Sequence, residues 1–337
     1  MGRVIASTIA FCLIVIIIIP AILVRGCRPV EPPQSALGPP VRVFISDDNR
    51  MVEMPLELYL VGVVAAEMPA SFPLEALKAQ AVAARTFAVK RMKIYGGTGC
   101  QEHPGADVCT DYRHCQAWLS EAGMGRKWGY LEGLIWSRKI AHAVMSTAGL
   151  IVTYNGIPID AAFHSSCGGY TENSEDVWST PVPYLRSKRC EFCSTRSPFN
   201  EVKQFSISDI EKRLGVDLRV SSTKTHNIAG RAIRVTTSEM MQRPITVLAS
   251  SPTGRVKTIS IGGKILSAME MRQALGLRSS KISWQISGQN IRISSTGYGH
   301  GVGLCQYGAS GMAAQGKSFE EILRYYYTGV DIKSIYP

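Results

Sequence analysis

Charge is scarce in this chain. Only 19% of its 337 residues are Asp, Glu, Lys or Arg while 45% are hydrophobic, which excludes a disordered protein and leaves ample material for one large or two smaller packed domains. No dense Lys/Arg run and no nucleic-acid-binding motif occurs, so nucleic acid is not expected as a partner. The glycine-rich C-terminal string fits neither GxxxxGK[ST] nor a strand–helix dinucleotide turn, which excludes a phosphate loop. Internal repeats and low-complexity tracts are lacking as well.

Both acids and bases are missing from residues 4–24, a run long enough to cross the ~30 Å apolar core of a bilayer. The run exceeds a signal peptide's apolar segment and no small-x-small site follows it, so it reads as an uncleaved anchor rather than a removed leader. A folded body without a second span is then expected outside the cytoplasm. Subtracting Arg3, Arg25 and Arg28 from the formal charge of +11 leaves +8 for residues 29–337, because no acidic group precedes residue 29. A basic body outside a membrane suits anionic partners such as cell-wall polymers or lipid head groups, with generic solubility the competing reading.

The expected fold class is α+β, a helical catalytic lobe plus a β-rich lobe behind a single N-terminal transmembrane helix. Residues 1–28 form the anchor and the proline-rich residues 29–40 a linker. Residues 41–199 make the catalytic lobe, 200–295 the β-rich lobe, and 296–337 a glycine-rich segment with a terminal helix. Strands are expected at 41–45 and 51–54, then a helix from Pro55 that ends near Glu67. A second helix, alanine-rich, follows Ser71 and Pro73 and reaches about residue 93. A further helix is expected at 133–147, and Asn155-Gly156 predicts a hairpin of 150–154 with 157–163. Helices at 208–214, 267–275 and 318–327 complete the pattern.

Glu67 is the leading candidate for chemistry. A carboxyl at a helix C-terminus faces the negative end of the dipole, and the neighbouring Val64, Met68 and Phe72 desolvate it, so both effects raise its pKa toward that of a general acid. A surface glutamate at a helix end is the competing reading. Nine cysteines are present, seven of them beyond residue 28. His103, Cys109, His114 and Cys115, within a loop at 100–116, form a two-Cys two-His set that suits tetrahedral, structural zinc. Cys100 is a substitute ligand, and a disulfide among Cys100, Cys109 and Cys115 the alternative.

The strings EMPASFPLEALKAQAVAARTFA, FHSSCGGYTENSEDVW, PYLRS and GYGHGVGLCQYGASGMA together resemble the SpoIID/LytB family from about residue 41 to the C-terminus. The resemblance implies a lytic transglycosylase acting on peptidoglycan glycan strands stripped of peptides. Glu67 would serve as acid and then base. The same resemblance implies that Arg85, His164, Ser165, Tyr184, Arg186, His300, Gln306 and Tyr307 contact or position the glycan. A helix-surface arginine in an ion pair is the competing reading for Arg85, and a structural role that for His164 and His300. It also implies that zinc sits in the 100–116 loop, with the stage II sporulation proteins P and M as partners and a mother-cell membrane facing the forespore as location. A non-catalytic enhancer of a partner amidase is the alternative function. Cys167 and Cys305 stand where the family has small hydroxyl residues, and a disulfide between them is expected. Cys190 and Cys193 form a CxxC expected to close a local disulfide rather than a redox centre.

Overall fold

The computed structural model describes residues 15, 37–178, 180–193, 199–218, 220–228, 231–239 and 245–336. The expected anchor lies outside the described residues, Val15 apart, as does most of the linker; among the described residues no helix is long and apolar enough to cross a membrane.

Strands β1 (Pro40–Ile45) and β2 (Arg50–Pro55) pair antiparallel, with Val43 opposite Val52. Pro55 then caps α1 (Leu56–Glu67), its fixed φ already suited to helix entry. Pro73 does the same for α2 (Leu74–Arg91). This second helix is the hub of the fold and packs against α1 and three later helices. Ala76, Ala79, Ala81, Ala83, Ala84 and Ala88 are all fully buried, so neighbours approach it from every side. A two-residue strand, β3 (Val108–Cys109), joins β1 in parallel.

Next come α3 (Glu121–Trp128) and α4 (Tyr130–Met145). The former is not anticipated by the sequence pattern: it is short and carries Gly123 and Gly125, each costing about 1 kcal/mol against alanine in a helix. The Ser120 side chain supplies its cap, accepting the Gly123 N–H at 3.1 Å. Helix α4 begins earlier than the expected residue 133.

The hairpin β4 (Leu150–Tyr154) and β5 (Ile157–Pro158) turns through Asn155 and Gly156, both at positive φ as a primed turn requires. Its second strand stops at Pro158 rather than reaching 163, since proline has no N–H for the ladder. The chain resumes as β6 (Phe163–His164) and α5 (Glu175–Trp178).

The β-rich lobe follows, as expected from its composition. It contains β7 (Asn200–Ser206), α6 (Ile207–Leu214), β8 (Val220–Ile228), β9 (Arg231–Glu239), β10 (Ile245–Ser250), β11 (Val256–Ile261), β12 (Lys264–Ser267), α7 (Ala268–Leu275), β13 (Ile282–Ser287) and β14 (Asn290–Thr296). Capping boxes built on Ser206 and Ser267 start its two helices. Its core gathers Ile210, Ile259, Ile261, Met271, Leu275, Ile291 and Ile293. Then β15 (Leu304–Cys305) returns to the first lobe and pairs in parallel with β6, Cys305 beside His164. Helices α8 (Gln306–Ala314) and α9 (Phe319–Tyr326) pack on α2, and β16 (Asp331–Ser334) closes onto β4.

The β6–β15 pairing depends on a glycine. Gly303 holds φ +72°, and a Cβ there would meet the Ala162 carbonyl oxygen at 2.2 Å. The C-terminal segment can therefore lie directly on the 162–166 backbone only because position 303 has no side chain.

Candidate active site

Glu67, the last residue of α1, opens onto a cleft of about 410 Å³. Its lining comes from four places: the turn Met68 to Ser71, Lys127 and Trp128 of α3, Trp136 of α4, and a far wall of Ser165, Phe199 and Tyr307. The wall is assembled by backbone contact, Tyr307 N–H donating to Ser165 O at 3.0 Å. Phe72 and Phe199 meet the Tyr307 ring edge-on at 5.0 and 5.3 Å. Two lysines brace the acid's own segment. Lys127 Nζ donates to Ala65 O at 2.8 Å, and Lys139 Nζ to Ala70 O and Phe72 O at 3.0 and 2.6 Å.

The carboxylate Oε1 of Glu67 accepts the Ala117 N–H at 2.8 Å. Burial pushes the carboxyl up from 4.5 to about 6, against the opposing pull of the Ala117 N–H, the Gln306 side-chain amide and the Lys127 charge. Desolvation wins because the group is closed in by apolar neighbours and only partly compensated by donors. A carboxyl so placed holds a proton under mildly acidic conditions and is a stronger base than an exposed one once it has lost it.

Gln306 sits behind the acid at the start of α8, its Nε2 donating to Gln80 Oε1 at 3.3 Å. Glu67, Ser165, Gln306 and Tyr307 are thus brought together, as the sequence suggested. His164 and His300 are placed one layer away. His164 Nδ1 lies 3.1 Å from the Val302 carbonyl oxygen, which fixes the proton on that nitrogen. His300 Nδ1 accepts the Val302 N–H at 3.1 Å, and its ring stands between His164 and Trp178. Burial lowers both, His300 to about 4 and His164 well below the usual histidine range, so both are neutral. They tie β6 to the glycine-rich segment.

Three expected glycan contacts are corrected. Arg85 is fully buried and forks onto Glu57 with bonds of 2.6 and 2.9 Å, its remaining N–H groups going to Leu150 O and Val144 O. It faces away from the cleft because α2 is enclosed on all sides, leaving a cation there no course but an internal partner. Tyr184 packs on Tyr154, its hydroxyl accepting the Asp160 N–H at 3.0 Å. Arg186 is held bidentately by Glu175 and by Val182 O. Both order the 160–190 loops rather than line the cleft. Conversely, Lys127, Trp128, Trp136 and Phe199 are cleft residues that the sequence reading missed; two tryptophans eight residues apart, one ending the unassigned short helix and one in the helix after it, were the available signal.

In the 100–116 loop, donor atoms of His103, Cys109 and His114 lie within 4.8 Å of one another, and those of Cys100, Cys109 and Cys115 do likewise. Cys109 is common to both sets, Cys115 stands 3.9 Å from Cys100, and Phe44 stacks on His103 at 3.9 Å. Two imidazoles and two or three thiols around one buried sulfur fit a tetrahedral zinc centre, with Cys100 or Cys115 completing it. The loop leads straight to Ala117.

Neither expected disulfide is present: all seven described cysteines are free. Cys167, Cys190, Cys193 and Cys305 instead meet in a single buried cluster. The separate pairs foreseen from sequence converge because β6–β15 pairing and the packing of the 190–193 turn on α8 bring both to one point.

Comparison with known proteins agrees with this architecture. Residues 46–154 match the family model described as SpoIID, stage II sporulation protein. The chain is 39% identical over 294 residues to the stage II sporulation protein D of Bacillus subtilis strain 168, covering 87% of this chain and 78% of that one. It is 37% identical over 311 residues to the protein of the same name from Bacillus amyloliquefaciens, covering 92% and 83%. A more distant relative, 30% identical over 309 residues and covered over 40% of its length, is the amidase enhancer of Bacillus subtilis strain 168. With that extent of identity, over a chain whose cleft unites the acid at position 67 with the glycine-rich terminus, the protein belongs to the stage II sporulation protein D family.

Proposed function

We propose that the protein is a lytic transglycosylase that cleaves peptidoglycan glycan strands during sporulation, with Glu67 as its single acid–base group. The observation that carries this reading is the raised carboxyl of Glu67, at about 6, in a cleft whose described lining contains no second carboxylate. Most hydrolytic glycosidases use a pair of carboxyls, one for the leaving group and one for water or the sugar. A transglycosylase needs one. Protonated Glu67 gives its proton to the glycosidic oxygen as the C1–O bond breaks. The resulting carboxylate then takes the proton of the muramic acid C6 hydroxyl while that oxygen bonds to C1, leaving a 1,6-anhydro end and a regenerated acid.

The remaining residues support this chemistry. Trp128, Trp136, Phe199 and Tyr307 offer flat apolar faces to sugar rings, and Lys127 offers a cation to a lactyl carboxylate. Ser165 and Gln306 supply short polar groups. Zinc, held by His103, Cys109, His114 and Cys115, would be structural; these residues order the loop whose next turn presents the Ala117 N–H to Glu67. The apolar run at residues 4–24 serves as the anchor that holds the body outside the cytoplasm beside its wall substrate. Stage II sporulation proteins P and M are the partners that the family suggests.

The test is incubation of the full-length chain, wild type and Glu67→Gln, with peptide-free glycan strands, followed by mass spectrometry of the ends. Anhydromuramic ends from wild type alone are expected. Ordinary reducing ends would make it a hydrolase. The name of the amidase-enhancer relative favours one other reading, a binding module that stimulates a partner; stimulation of an amidase to the same extent by Glu67→Gln, without strand scission by either form, would select it.

A further inference from the structure

Outside the cleft and the 100–116 loop, four cysteines from three distant segments converge on one point. Cys167 follows β6, Cys190 and Cys193 flank the Glu191–Cys193 turn, and Cys305 ends β15 at the cap of α8. All four are buried, and all four sulfurs lie within 4.8 Å of one another, Cys167 and Cys193 standing 3.3 Å apart. We propose that Cys167, Cys190, Cys193 and Cys305 form a second metal site, a tetrathiolate that holds one zinc ion and staples the FHSSC segment, the CEFC turn and the glycine-rich terminus together behind the cleft.

Geometry favours a metal over disulfides. A disulfide draws two sulfurs to ~2.05 Å and imposes one pairing. Here each sulfur is near all three others, so no pairing is preferred. Tetrahedral zinc with ~2.3 Å bonds spaces its four sulfurs by ~3.8 Å, within the span observed. A CxxC on a tight turn supplying two of the four ligands is the usual half of such a site. The same compactness leaves no room for a multi-iron cluster, which sets its cysteines farther apart.

The surroundings are those of bound thiolates. Cys305 Sγ accepts the Cys167 N–H at 3.4 Å and the Gly308 N–H at 3.3 Å. The Tyr326 hydroxyl lies 3.1 Å from Cys190 Sγ, and a Gly169 backbone bond reaches Cys193. Donors of this kind orient ligating sulfurs and offset their charge. Buried Arg255, itself ion-paired with buried Glu172 at 3.3 Å, donates from Nη2 to the Cys167 carbonyl oxygen at 2.9 Å and so fixes the backbone that carries this ligand. Room for the turn is kept by α8: a Cβ at Gly308 would meet Cys190 Sγ at 2.6 Å, and one at Gly311 would meet the Phe192 backbone at 2.8 Å. Binding the ion forms four zinc–sulfur bonds and releases one proton per thiol, with no change of oxidation state.

The staple lies against the proposed active site yet is independent of its chemistry. Cys167 is two residues from Ser165, and Cys305 two from Tyr307, both in the far wall of the cleft.

Zinc content of the full-length chain is measured by plasma mass spectrometry for wild type and for Cys190→Ser/Cys193→Ser. The variant is expected to carry one equivalent less per chain than wild type, whatever the 100–116 loop retains. Equal zinc content in a folded variant overturns the site. Should that variant not fold, wild type alone decides by alkylation and peptide mapping under native conditions. All four cysteines are expected to stay unmodified until a chelator is added and then to react as free thiols. Recovery of any of the four in a disulfide-linked peptide, or alkylation that is indifferent to the chelator, overturns it.

Discussion

The backbone N–H of Ala117 donates to Oε1 of Glu67 at 2.8 Å, joining the acid of the cleft to a residue fifty positions later in the chain, directly after the 100–116 loop. Ala117 lies two positions after Cys115, and Leu119 bonds back to Gly62 O at 3.1 Å, so the loop and α1 are fastened on either side of this contact. Whatever orders residues 100–116 therefore tunes the proton affinity of Glu67.

The pH dependence follows from burial of that acid. The proposed cleavage requires the protonated form, so kcat/KM on glycan strands is expected to be level below about pH 6 and to fall about tenfold per pH unit above it, as one group loses its proton. Stability carries the same sign. Because the folded-state value, about 6, exceeds the ordinary 4.5, the native state binds the extra proton between them. This contribution, up to ~2 kcal/mol, is fully present below pH 4.5 and gone above pH 6. Glu67→Gln removes the ionisation, and its Tm at pH 7.5 is expected to exceed that of wild type by a few degrees; a profile rising between pH 6 and 8 would contradict the assignment.

Gly62 tests the link between loop and acid. A Cβ there would meet Trp118 Nε1 at 2.1 Å and the Leu119 carbonyl oxygen at 2.7 Å. Gly62→Ala is expected to lift residues 116–119 off α1 and withdraw the Ala117 N–H. Since that bond lowers the Glu67 pKa, its loss moves the descending limb of the pH profile to higher pH. Displacing a catalytic group by about 1 Å costs ~100-fold in rate, so the loss at pH 5 should approach that size. Chelation of the zinc proposed for the 100–116 loop is expected to shift the limb in the same direction.

Arg85 should behave as a structural residue. Arg85→Ala leaves Glu57 buried and uncompensated, a loss of about 3–5 kcal/mol in denaturant unfolding. Glu57→Leu/Arg85→Met removes both charges and should recover most of it. Below the melting transition the double variant is expected to keep a KM for glycan within about twofold of wild type; a rise of tenfold or more, ~1.4 kcal/mol, would restore Arg85 to the substrate site.

The tryptophan wall is expected to govern binding. Trp136→Ala removes an apolar face worth about 1.5–3 kcal/mol when covered, so KM should rise roughly 10- to 100-fold with kcat little changed. Steady-state kinetics on strands of defined length measure the split, and a kcat effect alone would place the wall outside the substrate path.

Much of the fold was written in local chemistry. Pro55 and Pro73 marked helix starts, Ser206, Ser267 and Ser318 capped theirs, and Asn155-Gly156 made the only backbone turn such a pair favours. These signals act over a few residues and survive without the rest of the molecule. Short α3 did not announce itself, because its glycines oppose its own helix and tertiary packing overrides them.

The sequence by itself determined that an acid ends an apolar helix, that an alanine-rich helix follows it, and that two cysteine-bearing motifs precede the glycine-rich terminus. Tertiary structure alone decided which way side chains point once their helix is enclosed. Arg85 turns to Glu57, twenty-eight residues away, and the Cys167 sulfur meets Cys190 and Cys193 as well as Cys305. Direction inside a packed core is set by partners remote in the chain, since a buried charge or thiol must satisfy itself among whatever neighbours the fold delivers.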